Sequence, residues 1–249
     1  MVGKISYFCH MIRKEVPFID IHTHRRVITS PSVGEPFGVA SGTQWSAAIH
    51  PWKVTHSSNL TRLETLLKEN RIAAIGETGL DRIHKDTFEL QLEYFEKHIS
   101  LSEQYQKPLI IHNVKATADI LKLYKKYRPS QTWIIHGFNG TETEVRQLTD
   151  KGICLSVGES ICYQNRKITQ SIKSIPLEYL FLETDTSERS IQEIYEKASE
   201  LLDMPLEMLK EQIFANFARL NLISWKTGNN EPDCSSATMA LINLDEAMC

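Results

Sequence analysis

The stretch FIDIHTH, Phe18 to His24, is a short apolar run that ends in two histidines separated by one residue. Side chains alternate across a β-strand, so His22 and His24 point to the same side if the run is extended. Two same-facing imidazoles are typical of a metal site, but they supply only part of a coordination shell. The remaining ligands must come from other parts of the chain.

Similar short runs, rich in isoleucine, leucine and valine, recur along the chain. Their apolar residues are continuous rather than alternating, which is typical of parallel strands buried on both faces. Seven such runs occur, at residues 18–22, 46–50, 71–77, 108–112, 133–137, 153–159 and 179–185. Helical apolar stripes lie between most of them. Alternating strands and helices predict an α/β protein, and the length of 249 residues suits a single (β/α) barrel.

No linker interrupts this alternation, so we expect one domain over residues 1–249 with its core at about 17–222. The segment between the first two strands, 25–44, contains glycine and proline but no helical stripe, which predicts a loop. Residues 226–249 begin with a polar, turn-like stretch and become only weakly apolar. They are expected to form a peripheral tail, with a short docked helix as the alternative.

The composition limits the cellular setting and the partners. A formal charge of -3 gives no global basic surface, so a polyanionic substrate would need local help such as bound cations. Five cysteines form no CxxC pair and are interpreted as free thiols in a reducing compartment. The first residues lack the apolar stretch of a signal peptide, and no run reaches membrane-spanning length. These features predict a cytoplasmic protein.

Metal-binding residue types stand at the end of every predicted strand. They are His22 and His24, then His50, Glu77, His112, His136, Glu159 and Asp185. The carboxyl ends of parallel strands meet at one rim of a barrel, so these side chains should converge. A single histidine at a strand end is more often a hydrogen-bonding residue than a ligand, but repetition on strand after strand favours a metal site. The remaining histidines lack this context, and His56, His84 and His98 are expected to be exposed.

A mixed set of imidazoles and carboxylates suits Zn, Mn, Co or Ni, and its oxygen donors are also acceptable to Mg. The set is too large for one tetrahedral ion but suits two ions that share a carboxylate. Paired metals activate water and stabilise both the attacking and the leaving oxygen of a displacement. The residues therefore predict hydrolysis, with the cations able to hold a phosphate that the surface charge would not attract.

Seven segments, DIHTH, AIHPW, IGETGLD, KPLIIHNVKA, WIIHGFNG, LFLETD and ANFARL, resemble in this order the signature segments of the TatD family of metal-dependent deoxyribonucleases within the amidohydrolase superfamily. The resemblance implies a TIM-like barrel that binds two divalent cations, with Mg, Mn or Zn as candidates. The family usually has a further βα unit between the first two segments. Here only 25–44 intervenes, so the chain resembles a shortened subgroup with seven strands and one βα unit missing after the first strand.

The resemblance also implies roles for individual residues. The metal ligands would be His22 and His24 with Asp185 for the first ion, His112 and His136 for the second, and Glu77 as the bridge. Asp185 would also orient or deprotonate the attacking water, so Asp185 and Glu77 are the expected catalytic residues. Two substrate contacts are expected. His50 matches a family position near the substrate phosphate, and Lys115 stands where the family usually carries an arginine.

The implied activity is hydrolysis of DNA phosphodiester bonds, as a 3′ to 5′ exonuclease on single-stranded ends. Trp52 and Phe138, next to the predicted site, could stack on bases, although lid packing is the alternative. A competing function is an amidohydrolase or lactonase that acts on a small-molecule ester, lactone or amide, because paired metals polarise a carbonyl equally well. The complete set of predicted metal ligands argues against a third function, a non-catalytic or regulatory barrel. Nothing in the sequence indicates a membrane or an obligate protein partner.

Overall fold

A computed structural model of the protein describes residues 16–24, 43–220 and 236–243. The strands within these ranges are β1 (Phe18–Thr23), β2 (Thr43–Ala48), β3 (Ala74–Asp81), β4 (Leu109–Val114), β5 (Trp133–Ile135), β6 (Cys154–Val157), β7 (Leu180–Leu182) and β8 (Ser236–Asn243). All of them belong to one parallel sheet, in the order β1-β8-β2-β3-β4-β5-β6-β7.

Helices follow the strands and cover the sheet. They are α1 (Thr61–Lys68), α2 (Phe88–Tyr105), α3 (Thr117–Tyr127), α4 (Glu142–Thr149), α5 (Lys167–Ser171), α6 (Ile191–Leu202) and α7 (Leu206–Arg219). Two of them begin at a capping box, in which Thr141 and Ser190 accept a hydrogen bond from the backbone N–H three residues later. No helix among the described residues is both long and apolar enough to cross a membrane.

The strands are buried on both faces, as their continuous apolar runs predict. Ile19 and Ile21 of β1 are fully buried, and every residue of β3 is buried. On the outer side, Phe95 and Ile99 of α2 are fully buried in the core. The core therefore continues from the interior of the sheet to the helices that surround it.

The two ends of the sheet meet through backbone hydrogen bonds. The Asp185 N–H donates to the His22 carbonyl at 2.9 Å, and the His24 N–H donates to the Asp185 carbonyl at 3.0 Å. A parallel bridge joins Thr23 to Asp185. The ends of β1 and β7 are thereby held together, so the carboxyl ends of the strands form one continuous rim.

The α/β barrel class is confirmed, and the seven predicted strands all occur. The structure differs in adding β8, which lies between β1 and β2 and pairs with both in parallel. Residues 236–243 are thus part of the barrel and not of a peripheral tail, and Met239 is only 1% exposed. Of the loop expected at 25–44, residues 25–42 lie outside the described residues, and Thr43 and Gln44 belong to β2 instead.

The physical reason for the eighth strand is hydrogen bonding. Without it, β1 and β2 would each leave a row of backbone N–H and C=O groups unpaired within a buried barrel. A strand from far along the chain satisfies both rows at once. Its sequence, SATMALIN, is neither a continuous apolar run nor a clean alternation, so periodicity alone does not identify it.

Replacement of Met239 by alanine distinguishes a strand inside the barrel from a peripheral tail. Because the Met239 side chain is buried, the substitution should lower the free energy of unfolding by about 2–5 kcal/mol in urea denaturation. Met208, which is 57% exposed on α7, is the matched control, and Met208→Ala should change stability by about 0.5 kcal/mol or less. Equal small effects in the two variants would contradict the placement of β8.

Candidate metal centre

The carboxylate of Glu77 is the centre of a histidine cluster at the carboxyl rim of the barrel. Glu77 lies in β3 and is 3% exposed. Its Oε1 atom contacts His112 Nδ1 at 2.6 Å, His136 Nε2 at 2.7 Å and His50 Nε2 at 3.0 Å. Its Oε2 atom lies 3.2 Å from His24 Nε2 and 3.5 Å from His22 Nε2. Five imidazoles from four strand ends therefore surround one carboxylate.

Two glycines shape the strand that carries Glu77. The register of β3 against β4 shifts at this point, an irregularity that commonly re-aims a side chain near a functional site. A Cβ atom on Gly76 would lie 2.5 Å from the Cβ atom of Ile110. Gly79 has a φ of 142°, and a Cβ atom there would lie 2.1 Å from the His112 carbonyl oxygen. Only glycine allows β3 to approach β4 this closely on both sides of Glu77.

Asp185 completes the side of the cluster that faces β1. Its Oδ1 atom lies 3.4 Å from His24 Nε2 and 3.8 Å from His22 Nε2. The two histidine rings are 5.0 Å apart, so they face one region as the alternation in FIDIHTH predicts. The backbone bonds that join the ends of β1 and β7 also fix Asp185 next to these histidines.

The side chains form three overlapping groups that could hold a metal ion. In each group the donor atoms lie within 4.8 Å of one another, and the groups are His22, Glu77 and His136; His22, His24 and Asp185; and His50, Glu77 and His112. All six residues expected to be ligands from the sequence are brought together. His50, expected as a substrate contact, lies in the same cluster.

The donor set fits a divalent cation. Several buried nitrogen atoms have no hydrogen-bond partner, namely both ring nitrogens of His22, Nε2 of His112 and Nδ1 of His136. Leaving buried polar atoms unpaired is costly, and such atoms call for a specific explanation. Neutral imidazole nitrogens beside carboxylate oxygens are the donors that Zn and Mn bind in proteins.

The charges of the cluster are strongly coupled. Burial by itself raises the pKa of Glu77, but the positive charge of His136 and hydrogen bonds from surrounding imidazoles hold that pKa well below its usual range. Burial lowers the pKa of His136, and the negative charges of Glu77 and Glu183 raise it well above its usual range. Burial, with the negative charge of Glu183, raises the pKa of Asp185. Glu77 is therefore ionised, whereas Asp185 is a stronger base than an ordinary aspartate.

Two carboxylates that were not predicted from the sequence lie on the side of the histidines away from Glu77. Asp81, at the end of β3, has its Oδ2 atom 3.5 Å from His112 Nε2. Glu183 is fully buried and has its Oε1 atom 3.7 Å from His136 Nδ1. Each faces the ring nitrogen opposite the one that contacts Glu77, an arrangement that fixes the orientation of a ligating histidine. Glu183 directly follows the apolar strand β7, which is the signal that could have identified it. Asp81 ends β3, whose sequence AIGETGLD offers no such signal.

Other residues singled out in the sequence do not belong to the three metal-binding groups. Glu159 accepts hydrogen bonds from Ser187 at 2.6 Å and Tyr163 at 3.2 Å. Lys115 is exposed just after β4. Phe138 is buried, so it cannot stack on a ligand, whereas Trp52 is 56% exposed at the rim.

His98, expected to be exposed, is instead fully buried. It lies in α2, and its Nε2 atom accepts a hydrogen bond from the Ile49 N–H at 3.2 Å. Burial lowers the pKa of His98 to about 4, so the ring is neutral and serves a structural role. Of the cysteines, Cys154 and Cys162 are free thiols as predicted, and the other three lie outside the described residues.

Comparison with known proteins agrees with this architecture. The family model described as TatD related DNase matches residues 41–221. The chain belongs to this family. A metal-dependent hydrolase of Haemophilus influenzae is 29% identical over 199 residues, which cover 71% of this chain and 76% of that protein. A metal-dependent hydrolase TatD of Mycobacterium tuberculosis is 30% identical over 149 residues, 56% of each chain, so the match spans little more than half of that relative.

Two solved structures show the same fold. YjjV, a TatD homolog from Escherichia coli, superimposes with a TM-score of 0.70 at 22% identity, covering 83% of this chain and 98% of that one. A TatD family hydrolase from Entamoeba histolytica gives a TM-score of 0.67 at 18% identity, covering 82% of this chain and 97% of that one. The family and the histidine–carboxylate cluster together identify a metal-dependent hydrolase.

Replacement of Glu77 by glutamine should reduce metal binding without unfolding the barrel. The amide keeps the shape of the side chain but removes the negative charge that all five imidazoles face. We expect less than about half of the wild-type metal per chain by elemental analysis and a loss of hydrolytic activity of about 100-fold or more. Glu159→Gln, a strand-end carboxylate outside the cluster, is the control and should retain both. Wild-type metal content in Glu77→Gln would contradict a central role for this residue.

Proposed function

We propose that this protein is a deoxyribonuclease that removes nucleotides from single-stranded DNA ends in the 3′ to 5′ direction and uses two divalent cations. The observation that carries the proposal is the position of Glu77 between two sets of donors. Its two carboxylate oxygens face different imidazoles, Oε2 towards the β1 histidines and Oε1 towards His50, His112 and His136. A carboxylate shared between two sets of ligands is the usual bridge in a two-metal hydrolase.

The proposed ligands follow the division of the cluster. His22, His24 and Asp185 form one of the three groups and would hold one cation. His112 and His136, whose Nδ1 and Nε2 atoms lie 3.4 Å apart beside Glu77 Oε1, would hold the other, and Glu77 would contact both. When bound, Mg, Mn or Zn lowers the pKa of water and neutralises negative charge on a phosphate. The overall charge of -3 offers no other source of attraction for a polyanion.

Asp185 is the proposed proton acceptor. Its Oδ1 atom lies 3.4 Å from His24 Nε2, so this carboxylate would stand beside water activated at the first cation and would accept its proton. Its backbone has a φ of 50°, a conformation uncommon outside glycine and asparagine that often occurs at functional sites. We assign Asp185 the removal of the proton from the attacking water. Glu77 is assigned the binding of both cations.

His50 and Lys115 are the proposed substrate contacts. The His50 side chain is 20% exposed, more than His112 at 9%, so part of its ring faces outward from the cluster. Lys115 has a φ of 54° directly after β4, and Asp185 has a φ of 50° three residues after β7. Gln106, Arg128 and Asp203 also have positive φ, but these cap helix carboxyl ends, where the conformation is ordinary. The strained position of Lys115 at the rim supports a functional role.

Labelled oligonucleotides test the activity and its direction. Purified protein with Mg or Mn should progressively shorten single-stranded DNA from the 3′ end, so 5′-labelled DNA gives a ladder while 3′-labelled DNA gives labelled mononucleotide from the start. Chelation with EDTA should abolish the reaction, and the metal should restore it. A panel of lactones, esters and amides is assayed in parallel. If the protein hydrolyses one of these compounds and leaves the DNA uncleaved, the amidohydrolase or lactonase alternative replaces the proposal.

Removal of the Lys115 charge should weaken DNA binding selectively. Lys115→Ala is expected to raise the KM for DNA by about 3- to 10-fold at low salt and to reduce the salt slope of log kcat/KM by about 0.7, the value for one phosphate contact on a single strand. Metal content should stay the same. Lys122→Ala, which removes an exposed charge farther along α3, is the control. Identical salt dependence in the two variants and the wild type would make Lys115 an ordinary surface residue.

A further inference from the structure

The rim beside the metal cluster carries an exposed aromatic side chain that is fixed in place. Trp52 follows β2 and is 56% exposed. Its indole Nε1–H donates to Asp81 Oδ2 at 2.7 Å, and its backbone N–H donates to His50 Nδ1 at 3.1 Å. The polar edge of the indole is therefore turned inward and bonded, while much of the ring remains accessible to solvent.

Trp52 is close to the residues of the proposed reaction. Its ring centroid lies 4.9 Å from that of His50 and 5.5 Å from that of His112, in edge-on arrangements. Both imidazoles contact Glu77. A planar group that rested on the indole would accordingly lie next to the cluster at which a phosphate is proposed to be held.

The apolar residue Ile83 and the imidazole ring of His84 lie on the same part of the rim as Trp52. Ile83, 60% exposed, donates its backbone N–H to Asp81 Oδ1 at 2.8 Å. The His84 ring lies 5.3 Å from the Trp52 ring at a tilt of 43°. Trp52 and Ile83, two of the large apolar residues most exposed among the described residues, thus both donate a hydrogen bond to the buried carboxylate of Asp81, the first from its indole and the second from its backbone. We call Trp52, Ile83 and His84 the rim platform.

We propose that the rim platform binds the base of the nucleotide adjoining the scissile phosphate, with Trp52 as the stacking surface. The proposal rests on the proposed deoxyribonuclease function and specifies how the same site recognises its substrate. Every nucleobase has a π-face, so stacking on an indole gives affinity without sequence selectivity. The hydrogen bond to Asp81 restrains the indole, so little ordering of this side chain is needed on binding.

Two pairs of molecules test the base contact. The substrates are a single-stranded oligonucleotide and the same oligonucleotide with an abasic 3′-terminal nucleotide. The variants are Trp52→Ala and Trp52→Phe, the latter keeping an aromatic face but not the N–H that Asp81 accepts. Wild type should prefer the base-bearing end by about tenfold in kcat/KM. Trp52→Ala should lose this preference, Trp52→Phe should keep most of it, and metal content should be unchanged in both.

Binding without turnover is measured separately. In EDTA, a thymidine oligonucleotide should quench wild-type tryptophan fluorescence saturably, the abasic strand should quench it less, and Trp52→Phe should show neither change. Met208→Ala, an exposed apolar residue on α7, is the control and should behave as wild type.

The outcomes separate the two proposals. DNA cleavage with equal kcat/KM for both ends in wild type, or loss of the preference in Trp52→Phe and Trp52→Ala alike, overturns the rim platform and leaves the deoxyribonuclease standing. Absence of DNA cleavage overturns the deoxyribonuclease, and the quenching measurement then decides whether Trp52 binds a base. No saturable quenching in that case overturns the platform as well.

Discussion

A carboxylate almost completely removed from water is the constraint around which this molecule is arranged. An isolated buried charge is very unfavourable, and it persists only where opposite charge or hydrogen-bond donors surround it. Glu77 satisfies this condition through imidazoles supplied by β1, β4 and the segments after β2 and β5. Strands far apart in the sequence must therefore end at the same height, which a closed parallel barrel achieves.

Two further carboxylates, those of Asp81 and Glu183, lie on the far side of the histidines from Glu77. Asp81 and Glu183 face the ring nitrogens of His112 and His136 that point away from Glu77. Glu183 is itself held by the Gly137 N–H at 2.5 Å, and Asp81 by the indole of Trp52 at 2.7 Å. Each histidine is thus fixed between two acidic groups, so its orientation does not depend on a bound ion. Such preorganisation lowers the cost of assembling the site when a ligand arrives.

Much of this arrangement could be predicted from the sequence because its signal is local. A continuous apolar run followed at once by histidine or a carboxylate marks both a buried strand and its place at the rim, as His22, His112 and Asp185 illustrate. The features that the sequence did not predict depend on contacts between distant parts of the chain. β8 is defined by the two strands it satisfies and not by its own periodicity. His98 looks like a surface residue of an amphipathic helix, and only the position of the Ile49 N–H beneath it explains its burial.

The position of β8 between β1 and β2 affects how the barrel folds, and not only how stable the folded barrel is. Phe18 pairs with Ser236, so this contact joins residues from nearly opposite ends of the sequence. Contacts of such long range form late and slowly, since the entropy of closing the chain is lost before the contact provides any stabilisation. Until that moment β1 and β2 are open edges, and open edges of a half-formed parallel sheet pair readily with other chains. The strand that closes the barrel is thus also what separates correct folding from self-association.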